Sequence, residues 1–332
     1  MKIAAVIFSG VEVLLLVFCG SHANNTSTII QQAKLFSVTD AVAATPPVKT
    51  LPPAYLITPQ KVLQTDHYTE GVVFDRQGNL YFSQTKAGTI TVLAADGSPK
   101  LWAQVKGANG HKIMPDGTHI VAAQNSVVQL DANGKIIKVI AKEFKGKPLQ
   151  YPNDITLDLQ GGFYFTDSGD SNIQQPNGAL YYINAAGKIN SVVTRLAYAN
   201  GLLLTPDRKR LFVAESNKNR ILVYDVLSQG KVGSQKVFAL LPVKQGDQID
   251  NQPDGICQDA MGNIYVAHYG MRQVAVLNPD GQLLRRYASG NLTTSNCAFG
   301  GSNLDRLFVT GGIEADGSQG GIFRLDLGVP GL

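Results

Sequence analysis

Short apolar runs separated by glycine-, asparagine- and aspartate-rich breaks fill most of the chain, and one arrangement of them recurs six times. Each copy opens on an oxygen-bearing side chain, continues as an apolar strand, turns through a Gly- or Asp-containing pair, and returns as a second apolar strand. The clearest copy runs from Gln252-Pro253-Asp254-Gly255-Ile256-Cys257 to Ile264-Tyr265-Val266-Ala267. The residues equivalent to Asp254 are Glu70, Asn109, Asn153, Asn200 and Asn296, and successive copies start 39, 44, 47, 54 and 42 residues apart. Two more short strands fit between copies, as at Thr89 to Ala94, Ala179 to Asn184, Arg220 to Asp225 and Gln273 to Asn278. Most of these close on turn pairs such as Asp96-Gly97, Ala186-Gly187 or Asp280-Gly281. Four strands per unit at this period predict an all-β, six-bladed β-propeller over residues 59–332. No stretch of useful length has helical periodicity after the N-terminal segment.

That segment has a different pattern. Lys2 precedes an almost continuous apolar run from Ala4 to Phe18, and Ser21-His22-Ala23 fits a small-x-small cleavage site. Residues 1–23 therefore read as a signal peptide and the mature chain as secreted or periplasmic. Lipid attachment at Cys19 is the rival, disfavoured by the bulk of Phe18 before it. Residues 24–58, with Pro46-Pro47 and Pro52-Pro53 and no periodicity, read as a mobile arm. Composition agrees with an all-β chain: 34 Gly and 15 Pro supply many turns. A net charge of +4 spread without a basic stripe argues against nucleic-acid binding, and no membrane contact is expected after cleavage. The expected state is a monomer. Cys257 and Cys297 fall on inner strands of neighbouring copies, so a disulfide between them and a pair of buried thiols both stay open.

A propeller places the first strand of each unit around its axis. Glu70, Asn109, Asn153, Asn200, Asp254 and Asn296 should then ring one mouth of the channel. Loops at Gln84, Gln124-Asn125, Ser168 to Asp170, Glu215-Ser216 and His268-Tyr269 should form the rim. Carboxylate and amide oxygens about a narrow axis suit a hard divalent cation, Ca²⁺ first, and Glu70 with Asp254 balances its charge. The scattered His and Cys do not make a zinc site, although Mg²⁺, Mn²⁺ or Zn²⁺ could substitute in an assay. Asn and Asp before Gly are also ordinary turn chemistry, which would account for any one copy; Glu70 escapes that account because Glu is a poor turn residue. His111, two residues beyond Asn109, is expected on the channel face as a proton relay or as a histidine satisfied by backbone. His268 and Tyr269 would bind substrate hydroxyls or cover the mouth. Trp102 is assigned to blade packing.

Glu70-Gly71, Pro152-Asn153-Asp154, Asn200-Gly201-Leu202, Pro253-Asp254-Gly255 and Thr293-Thr294-Ser295 with Phe299-Gly300-Gly301 resemble, in order and in phase with the repeat, the regucalcin/gluconolactonase-like (SMP-30/gluconolactonase/LRE) family of six-bladed propellers. The resemblance runs from about Tyr68 to Phe323. It implies that Glu70, Asn200 and Asp254 bind a catalytic divalent metal and that Asn153 completes the shell or contacts substrate. It also implies that Asp254 serves as general base or nucleophile in hydrolysing a cyclic ester, typically a sugar lactone. Asn109, His111, Asn153, Asp170, His268 and Tyr269 are the candidate substrate contacts. The chain departs from the family pattern at Gln124-Asn125 and at Ser168-Gly169-Asp170-Ser171, both on the rim, which leaves the substrate open. A related esterase or phosphotriesterase, and a non-catalytic partner-binding propeller, are the alternatives.

Overall fold

The computed structural model describes residues 50–170 and 173–332. The export segment through Ala23, the arm as far as Lys49, and Ser171 lie outside them. Six antiparallel sheets of four principal strands follow one another along the chain. Their inner strands are Glu70–Phe74, His111–Ile113, Pro152–Leu157, Ala199–Leu204, Gln252–Gln258 and Thr293–Gly300. Blade four carries an extra hairpin strand, Lys231–Val232, beside its third strand.

Each blade must cover two faces, and it does so against its neighbours. Six apolar clusters fill the six interfaces between consecutive blades. Tyr81, Ile90 and Ala103 of blade one, for example, pack against Val121, Ala123 and Val128 of blade two. The last cluster closes the circle, setting Ile322 of blade six against Val72, Leu80 and Phe82 of blade one. Second strands such as His119–Ala123 and Phe163–Asp167 are buried along their whole length. Outer strands such as Ile136–Ala141 are largely exposed, because little packs beyond the rim of the wheel.

The outermost strand of blade six comes from the other end of the described chain: Gln60–Thr65 pairs antiparallel with Gly320–Asp326. The first and last blade segments are thereby hydrogen-bonded into one sheet. Residues 51–57, read from sequence as the end of a mobile arm, are docked instead. Leu51 is buried in the cluster between blades five and six with Ala54 and Ile57 against it, and the Tyr287 hydroxyl donates to Pro52 O at 2.7 Å.

Candidate active site on the propeller axis

The inner strands are irregular at one place, and that irregularity builds the site. In five of them two residues oppose one on the second strand: between Glu70 and Val73, Pro152 and Ile155, Ala199 and Leu202, Pro253 and Ile256, and Thr294 and Cys297. Blade two has the same slip, since Asn109 N–H donates to Ala122 O while Ala122 N–H donates to Gly110 O. Each is a β-bulge, which re-aims a side chain and breaks the in-out alternation of the strand. In five blades the oxygen-bearing residue lies within the bulge, in blade one Glu70 is the paired residue that opens it, and all six are buried, with 4–7% exposure.

Hydroxyls on neighbouring blades fix the bulges. Ser83 Oγ donates to Asn109 O at 2.7 Å and Thr166 Oγ1 to Asn200 O at 2.8 Å. Ser216 Oγ donates to Pro253 O at 2.6 Å, and Ser295 Oγ to Thr69 O at 2.8 Å. The glycine after Asn109, Asn200 and Asp254 answers a steric demand rather than a turn. A Cβ on Gly201 would stand 1.9 Å from Asp254 O, and one on Gly110 2.5 Å from Asn153 O. Neither has positive φ. Around the axis, adjacent inner strands approach too closely for a side chain at that position.

Five of the six ring residues, Glu70, Asn109, Asn153, Asn200 and Asp254, line a cavity of about 390 Å³ at one mouth of the channel. Asn296 stands beside them within hydrogen-bonding reach of Glu70. Burial pushes the Glu70 carboxyl up to about 8, against the Gly71 N–H that accompanies it at 3.3 Å. Burial first, then the charges of Glu70 and Asp154, push Asp254 well above the usual carboxylate range. Asp154, held by Ile155 N–H at 2.8 Å and Leu202 N–H at 3.2 Å, is raised by burial as well. Three buried acids around one channel repel one another when charged, and a cation would relieve that repulsion. The Asn200 amide reaches Asp254, yet Asn200 Oδ1 is buried with no hydrogen-bond partner among the described residues. A buried carbonyl oxygen with no donor, beside two carboxylates, is the donor set of an oxygen-ligated divalent ion. Among the described residues no three His, Cys, Asp or Glu side chains form a metal-binding group, so such an ion would need amide oxygens beside the two carboxylates.

The rim differs in part from the sequence expectation. Tyr269 lines the mouth. His111 does not: the bulge turns it away from the channel into the interface of blades one and two. There its Nε2 lies 2.8 Å from His119 Nδ1, and its ring sits against Trp102 and Tyr81. Burial, with His119 beside it, holds His111 well below the usual histidine range. His268 is fully buried between blades four and five, with Nε2 3.0 Å from Asn219 Oδ1. Asn219 in turn donates to Leu241 O and Pro242 O, so His268 braces a loop rather than facing substrate. Asp170 is exposed and does not line the cavity; it closes its own loop with Asn177, whose Nδ2 donates to Asp170 Oδ2 at 3.1 Å. Glu215, placed on the rim by the repeat, is tied to Arg220 at 2.6 Å and to the Ala197 N–H.

Tyr68, Tyr151, Tyr198, Thr85, Lys86, Asp250 and Gln252 complete the mouth. The tyrosines had a signal in the sequence: each stands two residues before a ring residue, at Glu70, Asn153 and Asn200. Burial and then the charges of Glu70 and Asp254 keep the Tyr68 and Tyr151 hydroxyls protonated. Thr85 Oγ1 is buried without a partner on the same wall.

Comparisons with known proteins agree with this architecture. The model of the SMP-30/gluconolactonase/LRE-like region matches residues 68–312. A gluconolactonase of Zymomonas mobilis subsp. mobilis is 28% identical over 73% of this chain and 76% of its own. Lactonase drp35 of Staphylococcus saprophyticus is 32% identical over 75% of this chain and 80% of its own. The solved structure of a calcium-binding protein, regucalcin, from Agrobacterium tumefaciens superposes with a TM-score of 0.72 at 21% identity, covering 83% of this chain and 96% of that one. With the matched region spanning blades one to six and the oxygen ring at its centre, the chain belongs to the SMP-30/gluconolactonase/LRE-like family.

Proposed function

We propose that the chain is a lactonase that opens a small hydroxylated cyclic ester, of the sugar-lactone class, with the help of one divalent cation. The observation that carries the reading is Asn200 Oδ1, a buried oxygen without a donor beside Glu70 and Asp254. Glu70, Asn153, Asn200 and Asp254 would hold the ion. The structural neighbour regucalcin is a calcium-binding protein, which makes Ca²⁺ the first choice. When bound, such an ion supplies Lewis acidity toward the ester carbonyl.

The remaining steps fall to side chains of the mouth. Tyr68, Tyr151, Tyr198 and Tyr269 offer apolar ring faces with polar tips, which suits a flat, hydroxylated ring. Thr85 Oγ1 and the Asn109 amide are free to meet substrate hydroxyls. In the route through water, Asp254 takes the proton as the oxygen attacks the carbonyl carbon. The acyl–oxygen bond of the ring then breaks, and the proton passes to the departing alkoxide. The product is the hydroxy acid. Direct attack by the Asp254 carboxylate is the other route, and an ester to Asp254 trapped by rapid quench separates the two. The mature protein is proposed to be exported after cleavage near Ala23 and to act as a monomer. N-terminal sequencing and sedimentation test those two statements.

The deciding experiment assays sugar and aliphatic lactones with the purified chain, with and without chelator, beside Asp254→Asn. Hydrolysis should vanish with chelator, return with Ca²⁺, and fall by about 10²–10⁴-fold in Asp254→Asn. Tight Ca²⁺ binding without turnover of any lactone would sink the lactonase reading.

A further inference from the structure

We propose that the lower half of the axial channel is a second binding site, selective for an amphipathic monocarboxylate: an apolar chain ending in one carboxylate. Below the oxygen ring the channel widens into a cavity of about 660 Å³. Val72, Lys112, Thr156, Leu203, Ile256 and Ala298 each line it from a different blade, so it lies on the axis. It shares no lining residue with the upper mouth. Ligand pockets of roughly 300–1,000 Å³ with apolar walls and a few placed polar groups are the usual form of a small-molecule site.

Charge selects the ligand. Lys112 is half-buried and makes no hydrogen bond or ion pair among the described residues. It faces the channel because the blade-two bulge turns His111 outward and brings the next side chain back. Its charge draws the Asp154 carboxyl down against burial, but no ion pair joins the two. Arg76 and Arg208 stand exposed at the outer opening. Among the described residues Asp75 is the one acidic side chain on the wall. Its oxygens already accept from the Gln77 and Asn79 N–H groups, the Asn79 amide and the Tyr81 hydroxyl. A half-buried ammonium that no side chain pairs with can take an incoming carboxylate as a charge-assisted hydrogen-bond partner. The apolar wall beneath Lys112 excludes a polyhydroxylated acid, whose hydroxyls would lose water without gaining partners.

The test is calorimetric titration of the full chain with decanoate, with decanol and gluconate as controls. Decanoate should bind saturably at one site. Decanol should bind at least tenfold more weakly, and gluconate not at this site. Lys112→Met should weaken decanoate tenfold or more, and Lys112→Gln serves if the Met variant does not fold. Ala298→Phe, which fills the cavity and leaves its charges alone, should remove binding. Absence of saturable decanoate binding, equal affinity for decanol, or a decanoate signal that survives both Lys112→Met and Ala298→Phe overturns the proposal. None of these readouts depends on lactone turnover.

Discussion

Glu70 and Asp254 are acids held where acids are expensive, and that gives a pH signature. Glu70 titrates near 4.5 when exposed and near 8 in the cation-free fold. Between those values the folded state binds more protons than the unfolded one, so stability falls as pH rises. Above the histidine range, from about pH 6.5 to 8, the cation-free protein should therefore lose melting temperature as pH rises, and Ca²⁺ should flatten that slope; below about pH 6.5 the buried histidines oppose it. Thermal melts across that range with chelator or Ca²⁺ check it, and Glu70→Gln should blunt the cation-free slope. The histidines act in the opposite direction. Burial lowers His119 and His268 to about 4. Their neutral forms are needed by the fold, so stability should also fall as pH drops from about 6.5 to 4. Replacing His268 with Gln, which keeps a partner for Asn219, should soften this acid limb and spare turnover, in line with a bracing role.

The bulged inner strand is the element that turns a repeat into a site. Its demands fall on small residues: Gly201 and Gly110 lie against the backbone of the next blade. Gly201→Ala should cost ~1–3 kcal/mol or more by overpacking, seen as a lower melting temperature. Because the clash is with Asp254 O, turnover should fall further than stability alone explains; unchanged kcat with lowered stability would argue against that coupling. The Asp-Gly and Asn-Gly pairs that open these strands look like turns in sequence. The turn pairs proper, such as Asp96-Gly97 and Asp280-Gly281, do carry glycines at positive φ, whereas Gly110, Gly201 and Gly255 do not. Sequence could not separate the two kinds, because the constraint on the second comes from a strand some 50 residues away. The same bulge explains why alternation misplaced His111.

At the scale of the whole molecule, closure depends on one short strand. Gln60–Thr65 completes blade six and brings the two ends of the propeller into a single sheet. Removing residues through Thr65 would leave Gly320–Asp326 as a raw edge and uncover part of the cluster containing Ile322. Such a truncation should lose its cooperative melting transition and aggregate, as circular dichroism and size exclusion would read. The sequence signal for this strand was weak: it is half-exposed, has only two apolar residues, the adjacent Val62 and Leu63, with no alternation, and lies far from the copy it completes.

The sequence by itself determined the blade count, the repeating strand pairs and the identity of the axial oxygens, but not the closing strand of blade six. All of these rest on local periodicity: buried first and second strands read as apolar runs, and Glu or Asp in place of Asn marks the odd copies. Tertiary structure decided which neighbours of those oxygens share their face. His111, His268 and Asp170 left the site, and Tyr68, Tyr151 and Tyr198 entered it. Side-chain direction at a bulge depends on pairing with a second strand, and membership of a mouth depends on six loops meeting at one axis. Neither quantity is local in the chain.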